Sequence, residues 1–187
     1  MHSNPPQAKP LPQARDGGKW FWMRWLAISV IVMLLDQATK YAISASFQYN
    51  ESKVILPFFN LVLAHNTGAA FSFLAGASGW QREFFIVVTI IISAVLLWML
   101  RQNHKNRILA TALALVLGGA FGNLYDRVLH GHVIDFIQLH ALGYAWPAFN
   151  VADSAICVGA ALLIWDSFRT PAANEAAASE SSHETST

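Results

Sequence analysis

Charged and amide side chains interrupt otherwise apolar stretches of this sequence, at spacings that would let them act together. Asp36 and Lys40 are four residues apart and therefore share one face of a helix. Asn123, Asp126 and Arg127 follow a glycine-rich stretch and are likewise separated by three and four residues. Ionisable groups are costly in an apolar phase, so they indicate a functional site by default. The alternative for each group is an ion pair or cap at a helix end.

Two further carboxylates have the chemistry of a general acid and a general base. Asp135 lies in the apolar run 133–137, and Asp153 falls in the first turn of a predicted helix whose N-cap is Asn150. Two carboxyl groups a few ångströms apart share one proton, so one activates a water while the other polarises a carbonyl. Such a pair hydrolyses amides without a metal. Asp135 and Asp153 are the best-placed pair, although their spacing does not show that they meet. A surface-loop acid and an acid stabilised by the helix dipole are the alternatives.

The elements that carry these groups are too apolar for a small soluble core. Of the 187 residues, 55% are hydrophobic and 12% are charged. The stretches 84–100 and 108–125 contain no charged residue, and roughly 17–25 apolar residues in a helix cross a bilayer. The stretches 25–47 and 149–165 are similar but contain ionisable groups. A soluble bundle would show a polar face at every turn, so the sequence predicts an all-α membrane protein with four transmembrane helices.

Positive charges near the span ends predict the orientation. Eight of the 12 Lys and Arg residues fall on the side of the two termini: Lys9, Arg15, Lys19, Arg24, Arg101, Lys105, Arg107 and Arg169. Both termini are therefore expected in the cytoplasm, and the polar residues of four chain segments then lie near the outer interface. These residues are Asp36, Lys40, Asn66, Asn123, Asp126, Arg127, Asp135, Asn150 and Asp153.

The chain divides into one membrane domain and two tails. Residues 1–19 are rich in Pro and Gln, and residues 170–187 are rich in Ala, Ser and Glu. Both compositions predict disordered cytoplasmic tails. The remaining residues, 20–169, are predicted to form the transmembrane catalytic domain.

A small β element is expected outside the membrane. The run 53–64 is strongly strand-like, and Pro57 places part of it at a sheet edge. The sequence therefore predicts an external β segment over about 48–80, between helices 1 and 2. The later external segment, 128–149, is expected to be a loop.

Two other functions are compatible with parts of the sequence. A metalloprotease would draw its ligands from His130, His132, Asp135 and His140, because imidazole suits zinc, but their spacing matches no helical metal-ligand motif. A small transporter subunit or proton relay would need acids near the bilayer centre, whereas these lie near the span ends. The single cysteine, Cys157, excludes a disulfide framework and a thiolate-based zinc site. The net charge of +1 gives no basis for nucleic-acid binding.

Five ordered motifs give the sequence a specific resemblance. They are LDQATK at 35–40, HNTGAAFS at 65–72, GGAFGNLYDR at 118–127, GHVIDF at 131–136 and FNVADSA at 149–155. Together they make the chain closely similar to the signal peptidase II family of bacterial membrane aspartyl proteases. The resemblance implies a four-span fold with a small external β-domain, located in the bacterial inner membrane. It also implies an endopeptidase that removes signal peptides from prolipoproteins, cleaving just before a cysteine that carries diacylglycerol.

The resemblance implies roles for individual residues as well. By motif position, Asp135 and Asp153 match the catalytic pair. The conserved polar residues around the family's active site match Asp36, Lys40, Asn66, Asn123, Arg127 and Asn150, and Asp126 matches without a defined role. The expected partners are lipid-modified prolipoproteins and membrane lipids. We expect a monomer that needs no cofactor or metal.

Overall fold

The computed structural model describes residues 20–68 and 80–184, and it describes side chains as far as residue 169. The fold is built on four long helices. A short 3-10 turn, Phe21–Trp25, leads into the first helix. The helices are α1 (Leu26–Ser46), α2 (Gln81–Asn103), α3 (Arg107–His130) and α4 (Val151–Glu184). Each contains a segment long and apolar enough to cross a membrane, which confirms the four predicted spans.

Helix α3 lies at the centre of the bundle and packs against the other three helices. In the most apolar segment of α3, 50% of the residues are buried. In the corresponding segment of each of the other three helices, 17% are buried. Glycines permit this packing. A Cβ at Gly118 would lie 2.8 Å from the carbonyl oxygen of Ser29 on α1, and one at Gly119 would meet the carbonyl oxygen of Ala152 on α4. These small residues let α1 and α4 approach α3 at backbone distance.

The outer surface of the bundle is apolar, as a lipid-facing surface must be. Inside, Leu100, Leu113 and Leu117 are fully buried in a cluster between α2 and α3. The exposed side chains of α2 are also large and apolar, among them Val87, Ile90, Ile91, Val95 and Trp98. Because lipid tails are as apolar as these side chains, their exposure carries no penalty within a bilayer.

A four-stranded antiparallel sheet covers the end of the bundle where α1 and α3 finish and α2 and α4 begin. Its strands, in spatial order, are β1 (Ser52–Leu56), β2 (Phe59–Asn66), β3 (Val133–Ala141) and β4 (Tyr144–Ala145). The sheet is therefore not confined to the segment between helices 1 and 2, whose described residues supply β1 and β2. Strands β3 and β4 come from the segment 128–149, where we expected a loop.

Strand β3 forms because an apolar run meets an open strand edge. Strand β2 pairs with β1 on one side, so its other edge presents backbone N–H and C=O groups that need partners. Strand β3 supplies them, with Asp135 opposite Ala64 and Val133 opposite Asn66. The predicted loop acid Asp135 therefore lies on a strand.

The tails are described in part. Residues 1–19 lie outside the described residues, as do residues 69–79 of the expected external β segment. Helix α4 continues to Glu184, although the composition of 170–187 predicts a disordered tail. Its alanines and glutamates are strong helix formers, which favours continuation of α4 beyond the apolar part.

Candidate active site

Two acids from different elements lie at the junction of the sheet and the bundle. Gly131, with φ of +78°, ends α3 in the left-handed conformation and returns the chain into β3, where Asp135 is 2% exposed. Asp153 lies in the first turn of α4. Its backbone N–H donates to Oδ1 of Asn150 at 2.9 Å, so Asn150 is the N-cap, as predicted.

Two asparagines connect these acids. The side-chain amide of Asn150 donates to Asp135 Oδ1 at 2.8 Å and to Asn123 Oδ1 at 3.1 Å. The amide of Asn123 in turn donates to Asp153 Oδ1 at 2.8 Å. A continuous chain of hydrogen bonds therefore runs from Asp135 through Asn150 and Asn123 to Asp153.

The surroundings of Asp135 favour the protonated form of its carboxyl group. Its burial, and next the negative charge of nearby Asp153, raise its pKa from the usual 3.8 to about 7. Hydrogen bonds to its oxygens oppose this shift without cancelling it, including one from the Asn66 amide to Oδ2 at 3.0 Å. Asp135 can therefore gain or lose a proton near neutral pH.

A buried ion triad lies beneath the asparagines. Lys40 Nζ is 2.7 Å from Asp36 Oδ2 and 2.7 Å from Asp126 Oδ2, and all three side chains are at most 1% exposed. Lys40 also donates to Asn123 Oδ1 at 3.0 Å. The helical spacing predicts the Asp36–Lys40 pair, and the structure adds Asp126, for which the sequence defined no role.

The two acids of this triad also hold the backbone beside the candidate pair. The N–H of Ala152 donates to Asp36 Oδ1 at 2.9 Å, and the N–H of Ile134 donates to Asp126 Oδ2 at 3.1 Å. Each of these residues immediately precedes one acid of the pair. The triad therefore fixes the main chain at both Asp135 and Asp153.

Two residues outside the predicted site support the triad. The amide of Gln37 donates to Asp126 Oδ1 at 2.9 Å, and its only signal was its place in the 35–40 motif. Gly122 contacts Asp36, since a Cβ there would lie 2.6 Å from Asp36 Oδ2. A larger residue at 122 would displace the acid.

Arg127 binds main-chain carbonyl groups. Its guanidinium donates to Gly68 O at 2.8 Å and to Asn123 O at 3.3 Å, and its side chain is buried. Arg82 of α2, which carried no functional signal in the sequence, donates to Arg127 O and Val128 O, both at 2.9 Å. These bonds satisfy carbonyl groups at the end of α3 and hold the turn that leads towards Asp135.

A cavity of about 1070 Å³ adjoins this network. Most of its lining is apolar and comes from α2, α3, α4 and the sheet, including Phe85, Ile92 and Val116. Its polar lining includes Asn66, Asn123, Arg127 and Asp153. The volume accommodates a ligand of substantial size, with polar groups gathered on part of an otherwise apolar wall.

The histidines near the sheet have other contacts. His65 and His132 stack with ring centroids 3.9 Å apart, and His140 Nε2 hydrogen-bonds Asn60 Oδ1 at 3.1 Å. Burial lowers the pKa of both His65 and His132. Within the part of the chain that the structure describes, no three His, Cys, Asp or Glu side chains are grouped to hold a metal ion. The metalloprotease alternative gains no support from this arrangement.

Known proteins resemble this chain in sequence and in fold. A family model described as "Signal peptidase (SPase) II" matches residues 28–169. The lipoprotein signal peptidase of Ralstonia nicotianae is 54% identical over 156 residues, which are 83% of this chain and 90% of that relative. The lipoprotein signal peptidase of Cellvibrio japonicus is 54% identical over 153 residues, or 81% and 88% of the two chains.

Two solved structures agree with this relationship. Both are described as bacterial membrane enzymes determined by the in meso method, at 2.3 and 1.9 Å resolution. The first has a TM-score of 0.72 at 36% identity and covers 80% of this chain and 90% of its own. The second has a TM-score of 0.69 at 36% identity, and the match covers 78% of this chain and 93% of that structure's chain. The resemblance in the five motifs is thereby confirmed: the chain belongs to the signal peptidase II family.

Proposed function

We propose that this chain is a membrane-embedded aspartyl endopeptidase that removes signal peptides from prolipoproteins, with Asp135 and Asp153 as its catalytic pair. The observation that carries the proposal is the amide link between the two acids through Asn150 and Asn123. The raised pKa of Asp135, caused by burial and by the charge of Asp153, supports a pair that shares one proton.

The shared proton gives each acid a role. Asp135, with its pKa of about 7, carries the proton near neutral pH and donates it to the carbonyl oxygen of the scissile amide. Asp153 accepts a proton from a water as that water attacks the carbonyl carbon. Collapse of the resulting diol breaks the C–N bond: the leaving amine takes the proton from Asp153, and one diol hydroxyl gives its proton to Asp135 as the new carboxyl group forms. The pair returns to its starting state with one proton.

The surrounding residues would position this pair. Asn123 and Asn150 orient the two carboxyl groups, and Asn66 fixes the second oxygen of Asp135. The triad of Asp36, Lys40 and Asp126 would hold the main chain beside each acid, and Lys40 would also hold the side-chain oxygen Oδ1 of Asn123. Arg127 would hold the backbone at Gly68, close to Asn66.

The substrate is a lipid-modified prolipoprotein, cut just before its diacylglyceryl-modified cysteine. The names of the relatives support this substrate class, and the apolar cavity beside Asp153 suits an apolar signal helix. Lipid chains on the cysteine would hold the scissile bond at the membrane surface, so confinement supplies much of the orientation.

The enzyme would be a multi-pass protein of the bacterial inner membrane with both termini in the cytoplasm. Basic residues at the end of the bundle opposite the sheet support this orientation: Arg24, Arg101, Lys105, Arg107 and Arg169. The candidate pair would then face outward. We propose that the enzyme acts as a monomer, and the mechanism uses no metal or cofactor.

The test is cleavage of a purified precursor by the purified protein. Asp135→Asn and Asp153→Asn should each lower turnover of a lipid-modified precursor by about 10²–10⁴-fold or more. Asp166→Asn is the matched control, because Asp166 lies near the far end of the membrane-spanning part of α4 (Val151–Arg169) and accepts from Asn106. The wild type should cleave the lipid-modified precursor in preference to the unmodified one and keep its activity in a strong chelator. Near-normal turnover by either Asn variant would exclude the aspartyl pair.

A further inference from the structure

The turn between β3 and β4 places a bulky apolar residue where the backbone disfavours it. Leu142 has φ of +52° and Gly143 has φ of +82°, and Ala141 pairs with Tyr144 across the turn. Two-residue hairpin turns with both central residues at positive φ strongly favour Asn, Asp or Gly at the first position. Leucine at positive φ is a strained exception, and the Leu142 side chain is fully exposed.

Leu142 is the apex of a larger apolar surface. We define the hairpin surface as Phe58, Leu139, Leu142, Tyr144 and Trp146, each of which is at least 42% exposed. The N–H of His140 donates to Phe58 O at 3.0 Å, so the turn of the first hairpin lies beside the second.

The hairpin surface also lacks charge. No Asp, Glu, Lys or Arg occurs in the segments 54–64 and 136–149. A contiguous apolar surface rimmed by polar residues marks a contact with another apolar phase.

The hairpin surface adjoins the membrane-spanning part of the molecule. Phe58, Leu139, Tyr144 and Trp146 line the same cavity as side chains of the spans. Among those span residues are Ile92 of α2 and Ile156 and Val158 of α4. The exposed apolar faces of α2 and α4 are thus continuous with the hairpin surface. Tyr and Trp are also the residues that concentrate at the membrane–water interface.

We propose that the tip of the β3–β4 hairpin, with Leu142 at its apex, inserts between the lipids of the leaflet next to the site. The proposal concerns membrane contact and is independent of the proteolytic chemistry. Insertion would explain a strained leucine in a turn that Asn or Gly would form more readily. It would also fix the depth of β3, and hence of Asp135, relative to the bilayer.

The test measures lipid contact directly in full-length protein reconstituted into phosphatidylcholine–phosphatidylglycerol liposomes. Leu142→Cys and, as a control, Ser52→Cys are each labelled with bimane in a Cys157→Ala background. Ser52 is exposed on β1 beside the charged residues Glu51 and Lys53. Nitroxide-labelled lipids should quench the label at 142 at least twofold more than the label at 52, and aqueous iodide should show the reverse order.

Two results would overturn the proposal. Quenching of the label at 142 by iodide, as strong as at 52, would place the tip in water. Protection from both quenchers would mean that protein covers the tip, whether a second copy or another partner.

A second variant separates lipid insertion from folding. Asn tolerates positive φ, so Leu142→Asn should leave the melting temperature in detergent unchanged or raise it. With the label moved to Tyr144→Cys, Leu142→Asn should lower nitroxide-lipid quenching at least twofold, whereas Leu142→Phe should preserve it. Equal quenching of the label at 144 with Leu, Asn or Phe at position 142 would show that the side chain at 142 does not anchor the hairpin.

Discussion

Asn150 and Asp153 exchange hydrogen bonds across the first turn of α4. The backbone N–H of Asp153 donates to Asn150 Oδ1 at 2.9 Å, and the backbone N–H of Asn150 donates to Asp153 Oδ2 at 3.3 Å. The side-chain amide nitrogen of the same Asn150 takes no part in this exchange and donates to Asp135 Oδ1. The residue that starts the helix therefore also joins the two acids, and substitution can separate these two tasks.

Asn150→Ser should keep the helix cap but lose the link to Asp135. Serine caps helices about as well as asparagine, yet it has no amide to donate to both Asp135 and Asn123. We expect a melting temperature that falls by a few degrees, because the buried acceptors of the amide lose their donor, and a turnover that falls about 10–100-fold. Asn150→Ala should also lose about 1 kcal/mol of stability. Thermal unfolding and precursor cleavage measure the two effects, and full turnover in Asn150→Ser would show that the link is dispensable.

Turnover should fall as the pH rises through about 7. The proposed reaction needs the proton on Asp135, whose pKa burial and the Asp153 charge raise to about 7. Asn66→Ala removes a hydrogen bond that favours the carboxylate, so the pKa should rise further and the falling limb should move to higher pH.

A matched variant controls this pH profile. Asn60→Ala removes another asparagine of β2, which bonds Gln138 and His140. It should leave the falling limb in place. A limb that stays fixed in Asn66→Ala as well would show that Asp135 does not set the pH dependence.

The stability of the fold should also depend on Asp135. Its pKa in the folded protein, about 7, lies above its usual value of 3.8, so the folded state binds the proton more tightly than the unfolded chain does. This contribution is fully present below about pH 4 and is lost as the pH rises to about 7. Asp135→Asn cannot titrate, so the melting temperature of the wild type minus that of the variant should decrease over this range and level off above it. A difference that stays constant or increases with pH would contradict the assignment.

Removing the lysine of the buried triad should be far more harmful than removing a surface lysine. Lys40→Met leaves Asp36 and Asp126 as unpaired buried acids, which should cost about 3–5 kcal/mol of unfolding free energy. Lys53→Met is the control, because Lys53 is 55% exposed and lies 3.4 Å from Glu51, a type of pair worth about 1 kcal/mol or less. Denaturant unfolding in detergent compares the two. Equal losses would mean that the triad does not stabilise the junction.

The sequence alone determined the four membrane-spanning helices and the identity of the polar site residues. Long stretches without charge have only a helical solution in lipid, so the four spans follow from composition and length. The i, i+4 spacing likewise placed Asp36 beside Lys40, because neighbours on one helix turn are set locally. The five motifs predicted the family that the comparisons confirmed.

Only the tertiary structure decided how these groups meet. The pairing of β3 with β2, the contact of Asn66 with Asp135 and the bond from Ala152 to Asp36 join residues 67 to 116 positions apart. The bond from Ala152 to Asp36 depends on how close α1 and α4 come to α3, and glycines at that interface set the approach. Local spacing contains no information on this distance. The tertiary structure was therefore needed to show three features: Asp135 lies on a strand, Asp126 completes the triad, and Gln37 supports it.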